Sequence, residues 1–131
     1  MGKQLKTVGD IMATGIKIPF ISENKNMKEA IKIISNKKLG VVIVRNRNKI
    51  TTGLITDGNI RKLRERNIDF QKTLVKDVMT NNPITISSES LAIKALRIMN
   101  EKKITSLCVI KGNISNKNNP NELNIISNTE K

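Results

Sequence analysis

The sequence predicts an α+β (mixed α/β) fold made of two tandem units, each strand–helix–strand–strand–helix, with the second unit truncated. Three observations carry that prediction. A short motif recurs, because Val8-Gly9-Asp10-Ile11-Met12 returns as Val75-Lys76-Asp77-Val78-Met79, 67 positions later. Apolar residues fall at helical spacing in both copies: Met27, Ala30, Ile31 and Ile34, then Leu91, Ala95, Ile98 and Met99. Each helical stretch leads into a short aliphatic run, Val41 to Val44 and Leu107 to Ile110, of the kind that forms a buried strand.

The elements follow in order. Ile18 to Ile21 and Ile84 to Ile86 read as the opening strands. Ser22 or Asn26 is placed to cap the first helix, and Ser88 the second. Gly40 ends the first helix before the Val41 strand. Arg45 to Lys49 is polar turn material, and Ile50 to Ile55 is the next strand. So short a connection predicts an antiparallel pair. Thr56 or Asp57 then opens a helix carrying Ile60 and Leu63 on its inner face. In the second copy Ile21-Ser22 recurs as Ile86-Ser87, and Lys37-Lys38 as Lys102-Lys103, both 65 positions on. The expected boundaries are a first repeat with an N-terminal junction over 1–66, a linker over 67–74, an incomplete second repeat over 75–126 and a divergent polar tail over 111–131. About sixty residues is marginal for a lone core, so the halves are expected to rely on each other.

Composition narrows the chemistry. The 131 residues include 24 Lys+Arg and 11 Asp+Glu, a formal charge of +13, with no histidine, one cysteine and two aromatics. The missing histidine removes triads, most zinc sites and imidazole acid–base catalysis. A single cysteine removes intrachain disulfides and thiolate zinc clusters, and Cys108, inside Leu107-Cys108-Val109-Ile110, reads as an inert core thiol. The methionines read as core fillers. Repeat-equivalent Asp10 and Asp77 read as helix caps. The charge attracts anions of any kind. Nucleic acid is disfavoured, because Phe20 and Phe70 alone cannot supply a stacking platform and no nucleic-acid motif is present. The longest aliphatic run, Val41 to Val44, is far too short for a bilayer, and no apolar stretch follows Lys3 and Lys6 as a signal peptide requires. A cytoplasmic protein without a membrane partner is expected.

The stretch Gly53-Leu54-Ile55-Thr56-Asp57-Gly58-Asn59 lies between a predicted strand and a predicted helix. With the repeat and the element order, it resembles the ligand motif of CBS domains: Gly, hydrophobic, any, Thr/Ser, any, any, Asp/Asn. Val8 to Met12, Ile18-Pro19, Thr56 to Lys62, Val75 to Met79, Asn82-Pro83 and Lys103-Ile104-Thr105-Ser106-Leu107 are similar to the C-terminal CBS pair of arabinose-5-phosphate isomerases. The similarity covers roughly residues 1–110. The resemblance implies a regulatory pair that binds AMP, ATP or a nucleotide-activated sugar such as CMP-Kdo, with no cofactor required. It also implies a homodimer and a partner sugar-isomerase (SIS) domain, in cis or in trans. Isomerase chemistry in the family belongs to that SIS domain, so this chain alone is not expected to be an enzyme.

On this resemblance the ligand-binding candidates are Ile18, Pro19, Val41, Gly53, Thr56, Asp57, Asn59 and Arg61. Thr56 and Asn59, three apart at a helix start, emerge on one side and can bracket two ribose hydroxyls. Unpaired first-turn N–H groups favour a phosphate, which Arg61 or Lys62 can neutralise. Gly53 would let the strand approach a base closely. Ile18-Pro19 and the start of the Val41 strand would supply an apolar wall and backbone hydrogen bonds to the base. The plain alternative is that Thr56 only caps the helix and Asp57 only complements its dipole. Asn59 stands where the isomerase group more often has aspartate, which predicts weaker ribose binding.

A second candidate set is Ile84, Ser106, Ser127 and Glu130. Placed on the first motif, Asn124 falls on Gly53, Ser127 on Thr56 and Glu130 on Asn59. Chance in a short tail accounts for this match more readily than descent. With no second helix after Lys131, the second half is expected to be loosely folded or to sit in the dimer interface. The competing functions are a ligand-free dimerisation module and, behind it, a basic nucleic-acid-binding protein.

Overall fold

The computed structural model describes residues 5–14, 18–37, 39–81, 83–110 and 124–127. The elements run α1 (Val8–Ile11), β1 (Phe20–Ser22), α2 (Met27–Lys37), β2 (Val41–Arg45), β3 (Thr51–Thr56), α3 (Asp57–Glu65), β4 (Thr80–Asn81), β5 (Thr85–Ser87), α4 (Ala92–Lys102), β6 (Ser106–Ile110) and β7 (Asn124–Ser127). Single 3-10 turns occupy Phe70–Lys72 and Val75–Asp77. No helix among the described residues is long and apolar enough to cross a membrane.

The chain divides into two packed units, and the division does not follow the repeat in sequence order. One unit takes residues 16–83, and the other joins residues 1–15 to 84–131. Each Val-x-Asp-x-Met segment therefore packs on the other repeat. Val75 belongs to a core of Ile21, Met27, Ala30, Ile34, Val42, Val44, Ile55 and Ile60. Val8 belongs to a core of Ile86, Ala95, Met99, Leu107, Val109 and Ile126. Main-chain bonds fix both segments identically. Val75 N–H donates to Lys25 O at 2.8 Å, and Val8 N–H to Ser90 O at 2.8 Å. Lys76 donates to Glu23 O at 3.0 Å, and Gly9 to Ser88 O at 2.9 Å. Met27 N–H donates to Thr73 O at 2.8 Å, and Ala92 N–H to Lys6 O at 2.9 Å. These bonds satisfy donors that would otherwise be stranded at helix starts and bends.

In the 16–83 unit a four-stranded sheet runs β1-β2-β3-β4, with β1 parallel to β2 and the other pairs antiparallel. The β2–β3 hairpin was legible from its short connection. The pairs Val44↔Gly53 and Arg45↔Thr51 leave Thr52 as a bulge. In the other unit β5-β6-β7 repeats the first three strands: β5 is parallel to β6, and β6 antiparallel to β7. Alternation along β2 and β3 sends Val42, Val44 and Ile55 to the helix side, where α2 and α3 cover them.

Element ends shift slightly from expectation. The opening strands are Phe20–Ser22 and Thr85–Ser87, because Pro19 and Ile84 contribute only their carbonyls, which accept from Ile43 N–H (3.0 Å) and Cys108 N–H (3.2 Å). Asn26, not Ser22, caps α2, its Oδ1 accepting from Glu29 N–H at 3.1 Å. Ser22 Oγ instead accepts from Asn24 N–H in the preceding turn. Ser88 does not cap α4: Leu91 stands at that position without a side-chain cap bond, and Ala92 N–H is held by Lys6 O. Gly40, at φ 73°, takes the left-handed turn after α2, while Lys103, at φ 58°, ends α4.

Asp10 is a cap, as expected. It closes a capping box with Thr7, whose N–H donates to Asp10 Oδ2 at 2.9 Å while Thr7 Oγ1 accepts from Asp10 N–H. Cys108 is fully buried. Burial pushes its thiol up from an ordinary 9.0 to about 12, so it stays protonated.

Candidate functional site

Strand register gathers most of the first candidate set at one end of the four-stranded sheet. Val41 opens β2 and stands directly across from Thr56, which ends β3. Pro19 joins the same end through its carbonyl bond to Ile43, and Ile18 precedes it in the chain. Ile18, Pro19 and Val41 are buried, Thr56 and Asn59 are half-buried, and Asp57 and Arg61 are exposed. The β3–α3 junction is tied down by Asp57 N–H donating to Gly40 O at 3.3 Å.

Thr56 and Asn59 meet, and they meet each other. Asn59 Oδ1 accepts from Thr56 N–H at 2.8 Å and from the Thr56 hydroxyl at 3.1 Å. Thr56 Oγ1 accepts from Asn59 N–H at 3.4 Å. This is a capping box closed by the shorter asparagine in place of the usual Glu or Gln. The Asn59 amide nitrogen donates outward to Val78 O (3.4 Å) and Thr80 Oγ1 (3.5 Å). The helix start is thus fastened to the end of the second Val-x-Asp-x-Met motif and to the residue that follows it. A ligand that takes either side chain has to compete with these bonds.

Gly53 has a different reason from the one its sequence suggested. A Cβ there would stand 2.7 Å from Thr80 O, 2.8 Å from Met79 Sδ and 2.9 Å from Met79 Cγ. The space it leaves open is filled by the chain's own β4 and methionine, so close strand packing requires glycine here without any base. At the other edge of the helix start, a Cβ on Gly58 would lie 3.9 Å from Arg61 Nη2. The guanidinium of Arg61 therefore lies near the first turn of α3, where the positive end of the helix dipole favours an anion.

The second candidate set obeys the same register. Ser106 pairs with Ser127 as Val41 pairs with Thr56, and Val109 pairs with Asn124 as Val44 pairs with Gly53. Strand pairing thus makes Asn124-Ile125-Ile126-Ser127 the structural counterpart of Gly53-Leu54-Ile55-Thr56. Ile84 is half-exposed, with its carbonyl on Cys108. The Ser106 hydroxyl is buried and meets no hydrogen-bond partner among the described residues. Glu130 lies outside the described residues.

The CBS domain family model matches residues 8–66 and 75–119. The chain belongs to the CBS-domain family. It is 33% identical over 110 residues to arabinose 5-phosphate isomerase KdsD of Escherichia coli (strain K12), covering 84% of this chain and 34% of that protein. The chain therefore spans about a third of the length of such curated relatives. Among solved structures, the CBS domain pair of protein MJ0100, in complex with 5-methylthioadenosine and S-adenosyl-L-methionine, has a TM-score of 0.77 at 19% identity, over 95% of this chain and 91% of that one. CBSX2 in complex with AMP has a TM-score of 0.69 at 20% identity, over 93% and 90% of the two chains. These likenesses establish the tandem CBS fold.

Sequence reasoning missed two features of the CBS pair. One is the tie from Asn59 to Val78 and Thr80, for which the Gly53–Asn59 spacing carries no signal. The other is a cation–π stack, with Arg45 Cζ 3.6 Å from the Phe20 ring centroid.

Proposed function

We propose that this CBS pair is a regulatory module that binds a nucleotide or nucleotide-sugar, AMP, ATP or CMP-Kdo, and acts with an arabinose-5-phosphate isomerase of the Kdo/lipopolysaccharide sugar pathway. The observation that carries the reading is the β3–α3 junction, where Thr56, Asn59 and Arg61 converge on the positive end of a nine-residue helix. A hydroxyl, an amide and a guanidinium there suit a ribose followed by a phosphate. The adenosine-type ligands of MJ0100 and CBSX2 and the likeness to KdsD support it. On this reading the ligand biases the geometry of an SIS catalytic domain, in cis or in trans, by binding two states unequally. The module works as a cytoplasmic homodimer and leaves the isomerisation to that domain. Ile84, Ser106, Ser127 and Glu130 form a second, weaker subsite.

Isothermal titration calorimetry with AMP, ATP, CMP and CMP-Kdo, against a short DNA duplex as control, tests the proposal. Saturable binding of one nucleotide at moderate salt, abolished by Thr56→Val and strengthened by Asn59→Asp, is the expected result. No nucleotide heat, or DNA binding alone that salt removes, overturns it.

A second reading rests on the closed Thr56–Asn59 box, which satisfies both side chains without a ligand. In that case the pair is a dimerisation module, and sedimentation shows a dimer indifferent to every nucleotide.

A further inference from the structure

At the opposite end of β2 from Thr56, a hollow of about 220 Å³, open to solvent, is lined by Phe20, Ile21, Ser22, Arg45, Asn46 and Lys49. We infer that this hollow is an anion site, built to hold a phosphoryl group between Arg45 and Lys49, separate from the β3–α3 junction. Arg45 Cζ stands 3.6 Å from the Phe20 ring centroid, and a guanidinium stacked on a ring keeps its N–H fork available to grip a phosphate through two parallel bonds. Among the described residues that fork meets no carboxylate and no carbonyl at hydrogen-bond distance. No acidic side chain lines the hollow, and Glu23, next to Ser22, has Oε1 engaged by the Thr52 hydroxyl at 3.2 Å.

The rim is braced. Asn46 Oδ1 accepts from Asn48 N–H (2.8 Å) and Ile50 N–H (3.1 Å), and Lys49 N–H donates to Asn46 O at 2.9 Å. That turn puts Lys49 at φ 64°, a conformation an L-residue adopts only when its surroundings hold it there. The Thr52 bulge lies across from Arg45 and turns the strand end, a device that re-aims a side chain. The fold itself does not require the arrangement. The positions equivalent to Phe20 and Arg45 in the second unit are Thr85 and Ile110, which offer neither ring nor guanidinium. Two cations around one small hollow favour a dianionic phosphoryl group over a single carboxylate.

The test is an amide chemical-shift titration of the whole chain with inorganic phosphate, and with acetate as comparator. The expected result is a saturable shift centred on Ser22, Arg45, Asn46 and Lys49, with acetate at least about tenfold weaker. Arg45→Gln weakens phosphate at least about tenfold, and Lys49→Gln weakens it less. Phe20→Leu, which removes the stack and keeps both charges, also weakens it. Arg45→Lys, which keeps charge but not the flat fork, provides a check should Arg45→Gln fold poorly. A response spread without saturation over the lysine-rich surface, equal response to acetate, or indifference to Arg45→Gln and Arg45→Lys overturns the inference. Thr56→Val leaves this titration unchanged, so the two sites fail or succeed separately.

Discussion

The side-chain amide of Asn59 donates to the carbonyl of Val78 at 3.4 Å, while its oxygen accepts from Thr56. One side chain thus caps α3 and clasps the segment ahead of β4. Asn59→Asp keeps both acceptor bonds to Thr56 and loses the donors to Val78 and Thr80. Placing a carboxylate oxygen against a carbonyl adds repulsion. A loss of about 1 kcal/mol is expected, read as a lower midpoint in urea with unchanged slope. A variant as stable as the parent would show that the clasp contributes nothing.

Gly53→Ala tests the close approach of β4. The new methyl meets the backbone oxygen of Thr80 at 2.7 Å, which cannot swing aside as Met79 can. Overpacking of this kind costs about 1–3 kcal/mol. Met79→Ala in the same chain should recover only part of the loss, since the Thr80 contact remains. Full recovery in thermal melts would place the whole strain in the methionine.

Val8 and Val75 should report on different units from those their sequence neighbours suggest. Val8→Ala is expected to remove about 2 kcal/mol from the unit containing β5, β6 and β7. Val75→Ala should do the same to the unit containing β1 to β4. Native-state hydrogen exchange separates them by which amides lose protection. Val8→Ala loosening β2 and β3 first would contradict the crossed packing.

The Asp10 carboxyl is held below its ordinary value of 3.8, first by the Thr7 N–H, then by the Thr7 hydroxyl, with Lys6 helping against desolvation. A lowered folded value means the unfolded chain binds the proton more readily. The contribution is therefore present above 3.8 and is lost as pH falls through the folded value. Asp10→Asn should lower the melting temperature at pH 7 and lower it progressively less as the solution is acidified below 3.8. An effect that does not change with pH would assign the loss to packing.

For Cys108 the sign is reversed. The thiol is raised to about 12 when folded, so stability should decline as pH climbs from 9.0 toward 12, where the unfolded thiolate gains. Cys108→Ala should flatten that decline. At pH 8 a thiol reagent should modify Cys108 only as fast as the unit opens. Immediate labelling of the native chain would contradict the burial.

The continuous aliphatic run Val41 to Val44 and the helical spacing from Met27 to Ile34 made the elements readable, because each has one low-energy way to bury its apolar surface. Thr56 as a cap was readable for the same local reason. What was not readable depends on contacts distant in sequence. Ser88 looked like a cap, yet a carbonyl from Lys6 does that work for Ala92. Gly53 looked open to a ligand, yet Met79 and Thr80 fill the space. Asn124 to Ser127 looked like chance, and only the pairing with β6 shows the shared register.

The crossed placement of Val8 and Val75 also sets an order of assembly. Residues 16–83 form a continuous stretch with their own core, complete as soon as β4 has left the ribosome. The other unit cannot close until β5, α4, β6 and β7 have been translated and return to the α1 segment, which is made before residues 16–83. Val8 and Met12 must wait through the synthesis of the whole intervening unit with their apolar faces uncovered. Nascent chains paused shortly after β4 should therefore hold residues 16–83 in protease-resistant form and leave the α1 segment cleavable until β7 emerges.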